Sequence, residues 1–262
     1  GFVFGSQADV RYEAARKGYL TLYPEFNQEF SSVNTKRLDF KAELKPIPDL
    51  NINLKGDRQY SYSMSEQFDV ENGRYNSRSP YEYGNFRIST IMLKTAFNKS
   101  TVDFSETFNT FRSNRMIVAN QLAAERGIDL TNPANIDVNG YPKGYGRTNQ
   151  EVLIPAFLAA YSGDDAGSVN KGIFRDFPLP NWDITYRGLV RIPWFKQRFT
   201  SFLMKHSYAS SYTVNSYQTN YDYAANADVI NAMGNYPTKI TVGNVNLVES
   251  FSPLVGVDFQ TK

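Results

Sequence analysis

The residues best suited to chemistry are few, and the first is His206, the only histidine in a chain of 262 residues without cysteine. A zinc site needs several nitrogen or thiolate ligands, and a serine triad needs a histidine beside a nucleophile on a sharp turn. His206 instead lies in a run of alternating apolar and polar residues. The sequence therefore predicts no metal site, no cofactor and no enzymatic activity.

Two acidic segments could hold an ion. The segment 137–140 (DVNG) is similar to the start of a calcium loop, but the acidic residue that closes such a loop is absent. Asp164 and Asp165 are comparable. Because Asp and Asn also form tight turns by bonding to nearby backbone, turns explain both segments without an ion. The glycine-rich run 140–146 lacks the Lys-Ser/Thr ending of a phosphate loop, so we interpret it as a flexible outer loop.

Composition argues against further classes of protein. The net charge of +2 is too small for a surface that binds nucleic acid, so no nucleic acid is expected as a partner. No run reaches the roughly 18 apolar residues of a spanning helix. The chain begins Gly-Phe-Val-Phe, without the charged start and apolar core of a signal peptide. We expect either a removed signal or an internal piece of a longer protein.

Two long strands around a proline turn are the strongest structural signal. Residues 37–45 alternate between charged and apolar side chains, and Pro46-Ile47-Pro48 ends the run because proline lacks the N–H that a ladder needs. The second run, residues 49–65, would be about 50 Å long, whereas strands of soluble domains have about 5–6 residues. This length and one-sided polarity predict membrane strands of an antiparallel β-barrel.

The same design recurs towards the end of the chain. Alternating strands are predicted at 181–192 and 196–216, on either side of a second turn at Pro193-Trp194, and a last strand at 252–262. Outer-membrane barrels have short periplasmic turns and long outer loops, so both proline turns are predicted to be periplasmic. Five crossings are an odd number and cannot close a barrel in lipid. We therefore expect residues 1–262 to be one arc of a larger transmembrane barrel.

The segments between the strands are predicted to form an extracellular cap. They cover about 1–32, 66–180 and 217–245, and the strand-like run 86–97 is assigned to this cap. Helices are expected near 8–18, 105–127 and 150–162. The second helix is predicted to bury a stripe of Phe104, Phe108, Phe111 and Leu122.

Alternation divides the strand residues into two candidate faces. The polar face is predicted to line an aqueous lumen, and the apolar face is predicted to meet lipid or the membrane interface. The candidate lumen residues are Asp39, Lys41, Glu43, Asn51, Asn53, Lys55, Asp183, Thr185, Arg187 and Lys205. The candidate lipid or interface residues are Leu38, Phe40, Leu44, Leu50, Ile52, Leu54, Trp182, Ile184, Tyr186, Trp194, Val255, Val257 and Phe259.

Arg58 tests this division, because it shares the apolar face. At the bilayer centre it would cost about 2–4 kcal/mol. A strand tilted by about 45° places Arg58 roughly 20 Å above the proline turn, within an apolar band about 25 Å tall. Arg58 is therefore expected near the outer interface.

Several runs resemble the C-terminal part of the SprA/Sov family, the outer-membrane translocon of the type 9 secretion system. They are GFVFGSQADVR from Gly1, NQEVLIPAFLAAYSG from Asn149, LPNWDITYRGL from Leu179, PWFK from Pro193, HSYASSYTV from His206 and FSPLVGVDF from Phe251. The resemblance implies a very large single-chain barrel that exports folded proteins to the cell surface and serves gliding motility. It implies as partners a PorV-like outer-membrane barrel, a periplasmic plug protein and secreted cargo proteins.

Two other functions are open from the sequence. One is an outer-membrane barrel of the porin or nutrient-transporter type, which the large loop 66–180 also fits. The other is a soluble, surface-exposed β-sandwich that binds glycans through tyrosine and tryptophan; its polar residues would be the solvated face of an ordinary sheet. Long strands argue against the sandwich.

Overall fold

The computed structural model describes residues 11–19, 27–72 and 74–262. They form one antiparallel sheet of seven strands, with five α-helices in the connections. The strands are β1 (Asn27–Leu44), β2 (Leu50–Glu71), β3 (Arg74–Ser89), β4 (Asn181–Tyr186), β5 (Phe199–Thr219), β6 (Ile240–Phe251) and β7 (Gly256–Thr261). The helices are α1 (Arg11–Arg16), α2 (Glu106–Glu125), α3 (Gln150–Ser162), α4 (Pro193–Arg198) and α5 (Tyr221–Asn226), with 3-10 turns at Pro133–Asn135 and Gly188–Arg191. The prediction of an all-β chain with helical insertions is confirmed.

Three strands are unusually long. β1, β2 and β5 contain 18, 22 and 21 residues, against about 5–6 in a common strand. Side chains alternate between the two faces, and directly opposed residues share a face. Leu44 opposes Ile52 and Phe40 opposes Gly56, so the alternating pattern places the apolar residues of both strands together.

Two positions in the sheet are each filled by two strands placed end to end. β3 and β4 lie end to end between β2 and β5. β2 pairs with β4 over Leu50–Lys55 and with β3 over Arg58–Glu71. On their other side, β3 and β4 both pair with β5. Beyond β5, β6 and β7 follow one another in the same way. The seven strands therefore occupy five positions across the sheet.

The break between β3 and β4 is closed by side chains. Ser89 Oγ accepts a hydrogen bond from the backbone N–H of Asp57 at 3.1 Å and donates one to the carbonyl of Leu179 at 2.7 Å. On the other side, Asn181 Oδ1 accepts from the N–H of Ser210 at 2.8 Å. These bonds replace the ladder bonds that a continuous strand would provide. Losing either acceptor would leave a backbone donor unpaired, at a cost of about 1–3 kcal/mol.

Residues 90–180 leave the sheet at this break and form what we call the insertion. α3 begins after Asn149, whose side chain accepts from Glu151 N, and ends at Gly163 with a φ of 71°, where glycine is favoured. Ile154 and Leu158 of α3 pack on the upper half of the sheet. Their buried partners there are Phe86, Ile88, Tyr212, Val214 and Tyr217. The insertion thus covers the apolar face, and only its upper half.

Two predicted helices are confirmed at α2 and α3, but the buried stripe of α2 is different. Phe104 and Phe108 are exposed. The residues of α2 that are buried are Thr107, Asn114, Val118, Ala119 and Ala123. Phe111 and Leu122 of the predicted stripe are partly buried and pack against this core, and the Phe111 ring contacts Phe157 of α3 at 6.0 Å between centroids. Of the helix expected near 8–18, residues 11–16 are helical, and residues 8–10 lie outside the described residues.

The strand predictions need corrections. The cap segment expected at 66–180 contains sheet as well as loop, because β2 continues to Glu71 and residues 86–89 of the run 86–97 belong to β3. The expected cap segments 1–32 and 217–245 likewise contain the start of β1 and of β6. The strand expected at 181–192 ends at Tyr186, and the one expected from 196 begins at Phe199. The sheet still has five positions, because the additional strands β3 and β6 extend positions already counted.

Candidate functional site

The predicted polar face is a continuous surface of the sheet. Nine of the ten candidate lumen residues lie on strands, and their cross-strand partners place them on one face. Asn53 opposes Glu43 on β1 and Asp183 on β4, and Thr185 opposes Lys205 on β5. Arg187 is the exception: it follows β4 in the turn, where its N–H donates to the carbonyl of Asp49 at 2.9 Å. The strand ends because the chain turns into the 3-10 helix there.

Several charges on the polar face are paired with opposite charges. Lys55 Nζ lies 3.0 Å from Asp183 Oδ2, and Arg87 Nε lies 3.4 Å from Asp57 Oδ2. Lys205 pairs with Asp258 of β7. Exposed pairs of this kind stabilise by about 0–1 kcal/mol each, so their main effect is on the surface field. The face is strongly hydrated and carries no large area of one sign.

Three members of these pairs were not among the predicted lumen residues: Asp57, Arg87 and Asp258. Asp57 continues the alternation of residues 51–55 and could have been found from it. Arg87 could not, because the sequence pattern placed its segment in the cap. Asp258 alternates with Val257 and Phe259 and carried the same signal.

The lower half of the opposite face is an exposed apolar surface, which we call the apolar band. Direct cross-strand pairs align Ile52 with Ile184 and Leu54 with Trp182. The band also includes Leu38, Phe40, Leu44, Leu50, Tyr186, Met204, Val257 and Phe259, several of which are exposed. The ring of Phe40 lies over Gly56, where a Cβ atom would collide with it. Exposed apolar surface of this extent is unusual for a soluble monomer and points to contact with lipid or protein.

An aromatic cluster lies at the base of the band. Phe195 of α4 is 4.9 Å from Trp194 and from Phe202 of β5, measured between ring centroids. Phe199 lies 5.3 Å from Phe259 of β7. Trp194, predicted in the second proline turn, lies in the short helix α4 that forms this turn, and Val255, predicted in the last strand, lies in the turn before β7. Aromatic clusters at both ends of an apolar band are typical of membrane barrels.

Arg58 lies at the upper end of the band. Its Nε donates to the carbonyl of Arg175 at 2.8 Å, and its guanidinium carbon is 5.3 Å from the ring centre of Phe86. Above Arg58 the insertion covers the face, and Phe86 and Tyr212 are almost fully buried. The change from exposed to covered apolar surface therefore falls at the residue expected near the outer interface.

The other residues considered for catalysis or ion binding make contacts that are typical of structural residues. His206 Nδ1 lies 2.6 Å from the carbonyl of Leu254, on the apolar face. Asp137 accepts from the backbone N–H groups of Asn139 and Tyr141 at 2.7 and 2.8 Å, as a turn residue does. Over residues 11–19, 27–72 and 74–262, no group of three potential metal ligands is assembled. Within the same ranges, no helix combines the length and apolarity needed to cross a membrane.

At the junction of insertion and sheet two charged groups are perturbed. Burial lowers the pKa of the Arg175 guanidinium. Burial also acts to raise the pKa of Asp164, but hydrogen bonds from Lys94 and Ser162 outweigh it, and the pKa lies below its usual value. Asp164 is thus neutralised by Lys94 at 2.8 Å, whereas Arg175 forms no ion pair with a described carboxylate.

No protein-family model and no curated protein matches this chain.

Proposed function

We propose that this chain is one arc of a large transmembrane β-barrel in the outer membrane, with the polar face lining an aqueous channel. The observation that carries the proposal is the contrast between the two faces. One face is mainly polar, and the other exposes an apolar band that stops at Arg58 and ends below in an aromatic cluster. A lumen and a lipid bilayer would require this combination. The insertion and the 220–239 loop then lie at the cell surface.

The edges of the sheet support a larger assembly. Within the described residues β1 pairs only with β2, while β6 and β7 pair only with β5. In hydrocarbon, each unpaired N–H or C=O group at such an edge costs several kcal/mol. The outer edges therefore pair with further strands, which are most simply supplied by the rest of the same barrel chain.

We further propose that the channel conducts folded proteins, as the type 9 secretion translocon of the SprA/Sov family does. The resemblance of the runs at Asn149 and Leu179 supports this. So does the polar face, because amides and paired charges would not retain cargo of either sign. The partners proposed with it are a PorV-like barrel, a periplasmic plug protein, secreted cargo and membrane lipid.

Strand length separates this proposal from a glycan-binding β-sandwich. Strands of 18, 22 and 21 residues far exceed what a sandwich domain uses. A porin or nutrient transporter would share the barrel, the apolar band and the cap, and would differ only in the substance that it transports.

The assignment of the two faces can be tested with cysteine, since the chain contains none. In the complete protein, reconstituted in lipid, we expect Asn53→Cys to react with a charged, membrane-impermeant maleimide at least about tenfold faster than Ile52→Cys. The thiolate is the reactive species, and it forms in water but not in hydrocarbon. The measurement is the rate of labelling by mass spectrometry.

The unsubstituted protein gives the background, and unfolding in denaturant should make the two cysteines react equally. Comparable rates in the folded, lipid-embedded protein would contradict a lumen on one face and lipid on the other. A complete protein that stays soluble and monomeric without detergent would do the same.

Export distinguishes the translocon from other barrels. In cells that lack the complete protein, we expect secreted cargo to accumulate in the periplasm, and re-expression should restore it to the medium. The measurement is cargo in the medium and in the periplasm by immunoblotting. Unchanged export, with uptake of a small solute impaired instead, would favour the porin or transporter alternative.

A further inference from the structure

A cavity of about 440 Å³ lies where the insertion meets the sheet, at the upper end of the apolar band. Tyr212 of β5 and Leu247 of β6 form its floor, and residues of α3 and of the loop after it form its walls. Phe177 and Leu179 also line it and are exposed, at 71% and 41%. Leu179 is followed closely by β4, whose Trp182 belongs to the band. Leu179 thus links the lining of the cavity to the strand that carries Trp182 and Ile184 of the apolar band.

One donor in this cavity has no partner. Tyr212 is only 1% exposed, and its hydroxyl makes no hydrogen bond to any described residue. Buried hydroxyl groups are nearly always satisfied, so an unpaired one lining a cavity indicates a missing acceptor. The ring of Tyr212 is held in place by an edge-on contact with Phe86, with the centroids 6.1 Å apart.

Positive charge lies beside this donor. Arg175 lines the cavity, and its Nη1 donates only to the carbonyl of Asn170, at 2.8 Å. Arg58 reaches the backbone of the same Arg175 from the sheet. Neither guanidinium forms a direct ion pair with a described carboxylate, and a half-buried arginine without one is costly.

The negative groups at the cavity offset this charge only in part. Asp164 forms an ion pair with Lys94 and also attracts the Arg175 guanidinium, so one carboxylate is shared by two cations. Asp165 is exposed to solvent and accepts from Gly167 N at 3.1 Å in its own turn. The free donors that remain belong to arginine and tyrosine, a set suited to the oxygens of a phosphate group.

We propose that this cavity binds the phosphate headgroup of a membrane lipid whose acyl chains lie against the apolar band. The proposal rests on the proposed membrane location. The phosphate accepts hydrogen bonds from the Tyr212 hydroxyl and the Arg175 guanidinium, and Arg58 adds positive charge below them. Phe177 and Leu179 line the path from headgroup to chains, a feature that a site for free phosphate would not need.

The test uses the complete protein in detergent and measures lipid binding by native mass spectrometry. We expect dipalmitoyl phosphatidic acid to bind at least about tenfold more tightly than dipalmitoylglycerol, which has the same chains without phosphate. Phosphatidic acid should also bind more tightly, by a similar factor, than glycerol 3-phosphate, which is the headgroup without acyl chains. Arg175→Gln should weaken phosphatidic acid binding about tenfold or more, and Arg175→Lys should weaken it less.

Tyr212→Phe gives a signature that a purely structural role would not. Without lipid it should leave the thermal unfolding midpoint unchanged or raise it, because it removes an unpaired buried hydroxyl. With phosphatidic acid it should reduce binding about five- to tenfold. Arg112→Gln, on the exposed side of α2, is the matched control and should bind as the unsubstituted protein does.

Several outcomes would overturn the lipid site. Equal binding of phosphatidic acid and dipalmitoylglycerol would mean that the phosphate is not recognised. Equal binding of glycerol 3-phosphate would indicate a site for a free anion. Unchanged binding by both Arg175→Gln and Tyr212→Phe would place the lipid elsewhere. These results leave the barrel proposal intact, whereas a complete protein that needs no detergent would refute the barrel itself.

Discussion

Replacing Phe86 by alanine is expected to destabilise the contact between the insertion and the sheet by about 3–5 kcal/mol, the range for removing a fully buried phenylalanine. Phe86 is 0% exposed. Its ring contacts Tyr60, Phe174 and Tyr212, with centroid distances of 6.3, 5.4 and 6.1 Å. No neighbouring side chain can fill the space, because these rings are fixed by one another.

Hydrogen exchange of the complete protein measures this effect. The amides of α3 (Gln150–Ser162) should lose protection in Phe86→Ala, because opening of the insertion becomes less costly. Tyr83→Ala is the matched control: Tyr83 lies on the same strand, faces the opposite side and is 49% exposed. It should change α3 protection by less than about 1 kcal/mol. Equal losses in the two variants would mean that the insertion is not held by this contact.

Replacing Ile184 by arginine is expected to cost about 2–4 kcal/mol if the apolar band lies in the bilayer. Ile184 is in the middle of β4, opposite Ile52 on one side and His206 on the other, so no carboxylate would lie directly opposite the new charge. Thr185→Arg, one residue further on the polar face, should cost little, because the guanidinium would stay in water.

The measurement is the denaturant concentration at which the complete protein, folded in lipid vesicles, loses its native migration on a gel without heating. Ile184→Arg should lower this midpoint clearly and Thr185→Arg should barely change it. Repeating the titration in a shorter-chain, thinner bilayer should reduce the penalty for Ile184→Arg. Equal midpoints for the two variants would place both residues in the same medium and contradict the assignment of the faces.

The candidate faces were predictable because alternation is a local property of the chain. Asn53 and Lys55 fall on one face and Ile52 and Leu54 on the other, whatever strand lies beside them. The exceptions are at strand ends: Arg187 and Val255 keep the alternating pattern in sequence but lie in turns. Periodicity alone does not mark where a strand stops.

The division of the apolar face was not predictable. Leu54 and Phe86 look equally suited to lipid, yet one lies in the band and the other is covered by α3. The difference arises from residues far away in sequence, since Ile154 and Leu158 supply the cover. For the same reason the stripe predicted for α2 was wrong at Phe104 and Phe108 but not at Phe111 and Leu122: which side of a helix is buried depends on the partner it meets.

The sequence by itself determined the long alternating strands, their two faces, and the positions of α2 and α3, because each depends on neighbours within a few residues. Only the tertiary structure decided that β3 and β4 share one position in the sheet, joined across the insertion by Ser89 and Asn181. It also decided that Arg58 and Arg175 meet at the upper end of the apolar band. These features depend on pairing between segments that are distant in the chain, and local pattern carries no information about which segments will pair.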